Sequence, residues 1–317
     1  MILRSVESVL SLVLIMGLGW WLAGQSWFGQ KGGSLFSRFA VQICGPAYMC
    51  YNIQTTCETP EDLLRIVAGL PAPLVAILLG GLLGVALIWI LKVKKGRKGV
   101  FFNAVTFCNT VLVGFPIILA LFGDEAAPDA MVYYMANSLL FWTVGVYTLR
   151  ADSGETPPFF SRENLKKLVS PPLVGLVTGS VLVLLDIHLP YFLLDSMLRV
   201  GQCMTPMAML FIGCILRATD LRSIWRSREI WAVIGVRLLL SPLMMYLLLL
   251  VFPLPLQMRR VFFVMSTMPA MTQLGIMAKE SGSDAYFASA AVASTTLVCM
   301  AALPLFAIAM ESIPLLH

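Results

Sequence analysis

"FFNAVTFCNTVLVGFPIILALFG", Phe101 to Gly123, is an apolar run of membrane-spanning length, since a bilayer core takes about 20 such residues in a helix. Yet Asn109 puts a polar amide near its middle, and Gly114, Phe115 and Pro116 put a helix breaker beyond it. Pro116 has no amide hydrogen, and in a regular helix its ring clashes with the carbonyl of Leu112. Freed carbonyls are costly in hydrocarbon, so such breaks persist where they are buried in protein or line an aqueous cavity. The expectation is that Pro116 to Gly123 restart as a half-helix whose positive end points into the membrane interior, where it attracts anions.

Outward from this stretch the chain has the same character. Of its 317 residues 59% are hydrophobic and 12% charged, and the mean hydropathy is +0.86, far outside the soluble range. Ten apolar runs can be placed, at roughly 5–23, 36–53, 69–91, 99–123, 130–149, 169–187, 192–216, 230–252, 258–278 and 286–309. They leave no soluble domain of useful size. Glu7 interrupts any basic start, and no small-residue cleavage site follows, so a cleaved signal peptide is not expected.

The net charge of +5 is carried by the connections. Of 22 lysines and arginines, sixteen fall in the odd-numbered links, five lie on the opposite face, and Arg237 lies within a run. Positive charge is retained on the cytosolic side. Both termini are therefore expected outside the cytosol of a multi-pass plasma-membrane protein, with "KVKKGRK" (92–98) and "RADSGETPPFFSRENLKK" (150–167) inside. The seven cysteines form no CxxC pair and read as small apolar packing residues. His188 and His317 lie at segment ends, without partners for a metal site.

The central linker divides the ten runs into five and five. An odd number per half means that a repeated fold must be inserted upside down, as in many transporters. Three units are expected: a first five-helix repeat at 1–150, a cytosolic linker at 151–168 and an inverted repeat at 169–317. Prolines fall on the second and fourth run of each half, at Pro46, Pro116, Pro206 and Pro269. Pro269, in "STMPAMTQLGIMAKESG" (266–282), is expected to release the carbonyl of Met265, with Ser266 and Thr267 capping the restarted half-helix. Runs four and nine, crossing at their breaks, would bring two positive helix ends to one site.

Polar side chains surround these breaks. Asn109, Asn137, Thr272 and Gln273 can donate to a carboxylate or bond between helices as structural glue. Arg237, the only charge well inside a run, can snorkel to the headgroups or join an anion site. No Asp or Glu lies deep in any run, so a proton or sodium relay built on buried carboxylates is not supported. Any cation coupling must use carbonyls, hydroxyls or amides.

"NTVLVGFPIILALFG" (109–123) resembles the fourth-segment signature of the auxin efflux carrier family. "STMPAMTQLGIMAKESGSD" (266–284) and "ASTTLVCMAALPLF" (293–306) are similar to its ninth and tenth segments, and "SPPLVGLVTGSVLVLLDIHLP" (170–190) to the one opening its second half. The resemblance implies an all-α polytopic membrane protein. Its ten transmembrane helices would form two inverted five-helix repeats, as in sodium-proton antiporters and bile-acid symporters, with helices four and nine broken and crossing. It carries the family's asparagine and prolines onto Asn109, Pro116 and Pro269, and implies small organic anions, mono- or dicarboxylates, as substrates of an elevator-type carrier. "CGPAYM" (44–49) departs from the family's apolar residue before proline, and the short central loop argues against an auxin-specialised carrier.

The expected site comprises Asn109, Gly114, Pro116, Asn137, Pro269, Thr272, Gln273 and Arg237. The expected partners are a small organic anion and the lipid bilayer, with a homodimer left open, no nucleic acid and no cofactor. A sodium-coupled symporter and a non-transporting carboxylate receptor are the competing readings. An enzyme is disfavoured, because no HExxH, paired intramembrane aspartates or Ser with a nearby His occurs in a run.

Overall fold

The computed structural model describes residues 2–28, 32–57, 59–152, 154, 170–218, 227–313 and 316. Most of the expected linker at 151–168 lies outside them. Each of the ten apolar runs falls on helix. Four continuous helical stretches, Pro60–Leu91, Tyr191–Ala218, Arg228–Leu249 and Ala285–Leu303, are long and apolar enough to cross a bilayer. The first joins a short amphipathic piece, Pro60–Ala68, to Pro71–Leu91, and stops where Lys92 turns left-handed at φ 51°. The second is jointed at Cys203, just before Pro206.

Polarity is distributed inside out. Leu14, Leu82, Trp89, Leu239 and Val251 are exposed, while Asn109, Asn137, Arg237, Thr267 and Thr295 are buried. A water-soluble protein would expose the second set, whereas lipid reverses the preference. The structure is that of an integral membrane protein.

Two of the prolines expected to interrupt their helices, Pro46 and Pro116, do not, and Pro242 shares their setting. Pro46, Pro116 and Pro242 each follow a π-helical turn, at Ala40–Cys44, Thr110–Gly114 and Val236–Leu240. In each turn the amide just before the proline reaches back five residues, Gly45 to Ala40, Phe115 to Thr110 and Ser241 to Val236. The wider turn accommodates the ring without breaking the helix. Pro116 therefore lies within helix Phe115–Phe122 and does not start it.

Two packing groups result. In one, Ile2–Leu22 lies along Met204–Ala218, and Pro171–Leu184 along Gly45–Thr56. Glycines set both spacings: a Cβ on Gly213 would fall 2.0 Å from the Met16 carbonyl, and one on Gly175 2.2 Å from that of Pro46. Small residues allow such backbone approach where lipid supplies no hydrophobic drive. In the other group, Pro71–Leu91, Arg228–Leu249, Ala127–Leu140 and Ala285–Ser312 surround the two interrupted segments.

Candidate functional site: the crossing of two interrupted helices

The first interrupted segment runs as helix Lys98–Thr106, then extended at Phe107 (φ −103°, ψ 133°), then helical again from Thr110. Its break is at 107–109, seven residues before the position that Pro116 suggests. Asn109 is the cap: its Oδ1 accepts from Leu112 N at 3.2 Å, giving one of the new helix's first amides a partner. The second segment runs as Leu256–Ser266, breaks, and resumes at Leu274–Glu280. Ser266 and Thr267 do not cap the restart. Their hydroxyls donate back to the carbonyls of Phe263 and Val264, closing the helix that ends.

The breaks meet as an isolated antiparallel bridge between Cys108 and Ala270. Asn109 N donates to the Pro269 carbonyl at 2.8 Å, and Met271 N to that of Phe107 at 3.3 Å. Each side of the bridge is held by a neighbouring helix. Asn137 accepts from Cys108 N at 3.1 Å and donates to its carbonyl at 3.1 Å. Thr295 accepts from Ala270 N at 3.1 Å. These buried main-chain groups outside helices are thereby paired, as the membrane interior demands.

Arg237 sits on one side of this bridge, 2% exposed. It does not snorkel. Its Nε and Nη2 donate to the Met268 carbonyl at 3.0 and 2.7 Å, Nη2 also to that of Ser266, and Nη1 to those of Val105 and Thr106 at 3.2 and 3.4 Å.

On the other side a cavity of about 330 Å³ opens. Asn109, Thr110, Thr272 and Gln273 line it from the crossing, and Tyr134 and Ser138 from the helix that carries Asn137. The Asn109 amide donates to the Thr272 hydroxyl. Gln273 Oε1 is buried without a protein partner. No lysine or arginine is among the described lining residues, and Glu280 is the one carboxylate there. Val41, Pro171 and Pro172 complete the wall from the other packing group.

Of the expected residues, the structure brings Asn109, Thr272 and Gln273 to the cavity. Pro269 enters through its carbonyl in the bridge. Asn137 is fully buried behind the bridge, and Gly114 packs where a Cβ would meet Met265 Sδ at 2.6 Å. Pro116 and Arg237 are buried outside the described cavity lining.

A family model described as membrane transport protein matches residues 4–158 and again 159–307. The chain belongs to this family, the auxin efflux carriers. It is similar to an "uncharacterized transporter" of Methanothermobacter thermautotrophicus, 24% identical over 309 residues that cover 96% of this chain and 98% of the relative. The chain is thus a membrane transporter, and the crossing lies in both matched regions.

Sequence reasoning missed Thr295, Tyr134 and Ser138 in this transporter. Thr295 is marked only by its place in "ASTTL" (293–297), where three successive hydroxyl residues in an otherwise apolar stretch are the signal that points to it. Tyr134 and Ser138 are four apart and share a helix face, whereas Asn137 turns away toward the bridge.

Proposed function

We propose that this transporter carries a small organic anion, a mono- or dicarboxylate, by moving the crossing group against the other group in an elevator-type cycle. The observation that carries the reading is the convergence of the Asn109 amide and the start of helix 110–122 on one cavity between the two groups. Amide donors and a helix N-terminus together bind a carboxylate without a cationic side chain. Arg97 supports the idea that the crossing group moves as one body: it bonds Glu229 at 2.6 Å and Asp284 at 2.8 Å, tying the starts of three of its helices.

The ten helices form two inverted repeats, 1–150 and 169–317, in this reading. Its support is the exchange in packing, in which the first helix lies along the seventh and the sixth along the second. The bridge is likewise held from equivalent helices, by Asn137 in the fifth and Thr295 in the tenth. In this reading the termini lie outside the cytosol, and Pro171, Pro172 and Glu280, next to the cytosolic connections, support a cavity mouth on that side. On the opposite side the Tyr48 hydroxyl, from one group, donates to Asp124 of the other at 2.5 Å, closing that face.

Flux of radiolabelled carboxylates into proteoliposomes tests the proposal. Saturable uptake of at least one, lost in Asn109→Ala protein that still inserts and melts cooperatively, is the expected result. Binding without flux across the whole panel would favour a carboxylate receptor instead.

A further inference from the structure

Among the described residues Arg237 is the only buried charged side chain. Its partners are main-chain carbonyls, with the Cys108 thiol beside them, and not a carboxylate. A buried cation is expensive unless something of opposite sign surrounds it. Here that is supplied by the ends of two helices. Lys98–Thr106 and Leu256–Ser266 both terminate at the guanidinium, through Val105 and Thr106 on one side and Ser266 and Met268 on the other. A helix C-terminus carries roughly half a negative charge, so the two together balance about one positive charge.

Converging carbonyls at broken helices are also what an alkali cation needs in a transporter. The surroundings of Arg237 are oxygen-rich beyond those carbonyls. Thr106, Ser241 and Ser266 line a small cavity at the guanidinium, about 10 Å³ in size, close to the least volume that holds one water. Thr106 Oγ1, in a residue only 5% exposed, has no protein partner.

We propose that Arg237 is a built-in counter-cation. Its guanidinium takes the position that a co-transported sodium ion would take at the carbonyl ends of the crossing, so that the crossing assembles and binds its anion without sodium. Arg237 acts as a positioning residue, holding both breaks so that Asn109 and Thr272 face the cavity. It also leaves the positive start of helix 110–122 uncompensated on the other side of the bridge, available to the substrate. The assignment rests on the organic-anion reading only where it speaks of the anion; the exchange of guanidinium for sodium at the carbonyl ends stands without it.

The test uses the full chain in detergent, melted in sodium chloride and in choline chloride at matched ionic strength, with no organic anion present. Wild type is expected to melt at the same temperature in both. Arg237→Ala is expected to melt lower in choline and to recover saturably as sodium replaces it, because sodium enters the vacated oxygen cage. Arg237→Lys, which keeps the charge, is expected to melt closer to wild type and to ignore sodium. A saturable sodium-dependent rise in wild type would overturn the proposal, and so would Arg237→Ala protein that is destabilised but indifferent to sodium. Should Arg237→Ala not fold, the wild-type and Arg237→Lys series decide. A carboxylate panel run in both salts separates the two readings: binding in neither, beside the expected melting series, removes the organic-anion reading and leaves Arg237 assigned, whereas binding in sodium alone overturns the proposal.

Discussion

The two interrupted segments meet at one bridge but are built unequally. The first, Lys98–Phe122, resumes as a helix over 110–122 capped by its own Asn109, and its bridge residue is gripped by both ends of the Asn137 amide. The second resumes only as Leu274–Glu280, without a side-chain cap, and its bridge residue is held by a single hydroxyl, that of Thr295. A shared topology therefore does not mean a shared workload. The first segment presents both a helix start and an amide to the cavity, while the second contributes Thr272 and Gln273.

Replacing Asn109 by Ala should break this division most severely. It removes a cavity donor and the cap of the longer restart together, and a charge-assisted hydrogen bond is worth about 1.5–3 kcal/mol. Carboxylate binding by isothermal calorimetry should weaken by roughly 10- to 100-fold. Thr272→Val, which removes the second segment's partner for Asn109, should weaken it by about tenfold or less. Equal losses would mean that the segments share the site evenly.

Stability sharpens the same contrast. Asn137→Ala strands the Cys108 amide and takes one of two donors from its carbonyl, which keeps Thr110 N at 3.1 Å, a cost of about 2–4 kcal/mol, from about 1–3 for the stranded amide and about 1 for the lost hydrogen bond. Thr295→Val strands only the Ala270 amide and should cost about 1–2 kcal/mol. Melting in detergent ranks them, and the reverse order would overturn the comparison. The smallest effect is expected from Tyr48→Phe, which deletes one hydrogen bond between the packing groups. About 1 kcal/mol would shift their equilibrium roughly fivefold, readable as altered accessibility of a cysteine label in the cavity.

The helical runs, the crossing partners and three cavity residues were legible because composition and polarity mark them directly. The exact break was not. Proline draws attention because it lacks a donor, yet the π turn at Thr110–Gly114 absorbs that defect. The true interruption, at 107–109, is a property of the partner strand: Asn109 and Phe107 spend their main-chain groups on Pro269 and Met271. No local signal encodes a bond to a residue so far along the chain. Arg237 was ambiguous for a related reason. Its alternatives were lipid headgroup or ligand, and the carbonyls that receive it exist only after two helices have been interrupted side by side.

The bridge also constrains how the protein is made. Cys108 finds its Asn137 partner soon after synthesis, within the same half. Asn109 N and the Phe107 carbonyl cannot find theirs until Pro269 and Met271 have emerged and entered the bilayer. Contacts so distant in sequence form late, after a long loop has closed. The amino-terminal half therefore waits in the membrane with its central strand half-paired until the second interrupted segment is inserted beside it.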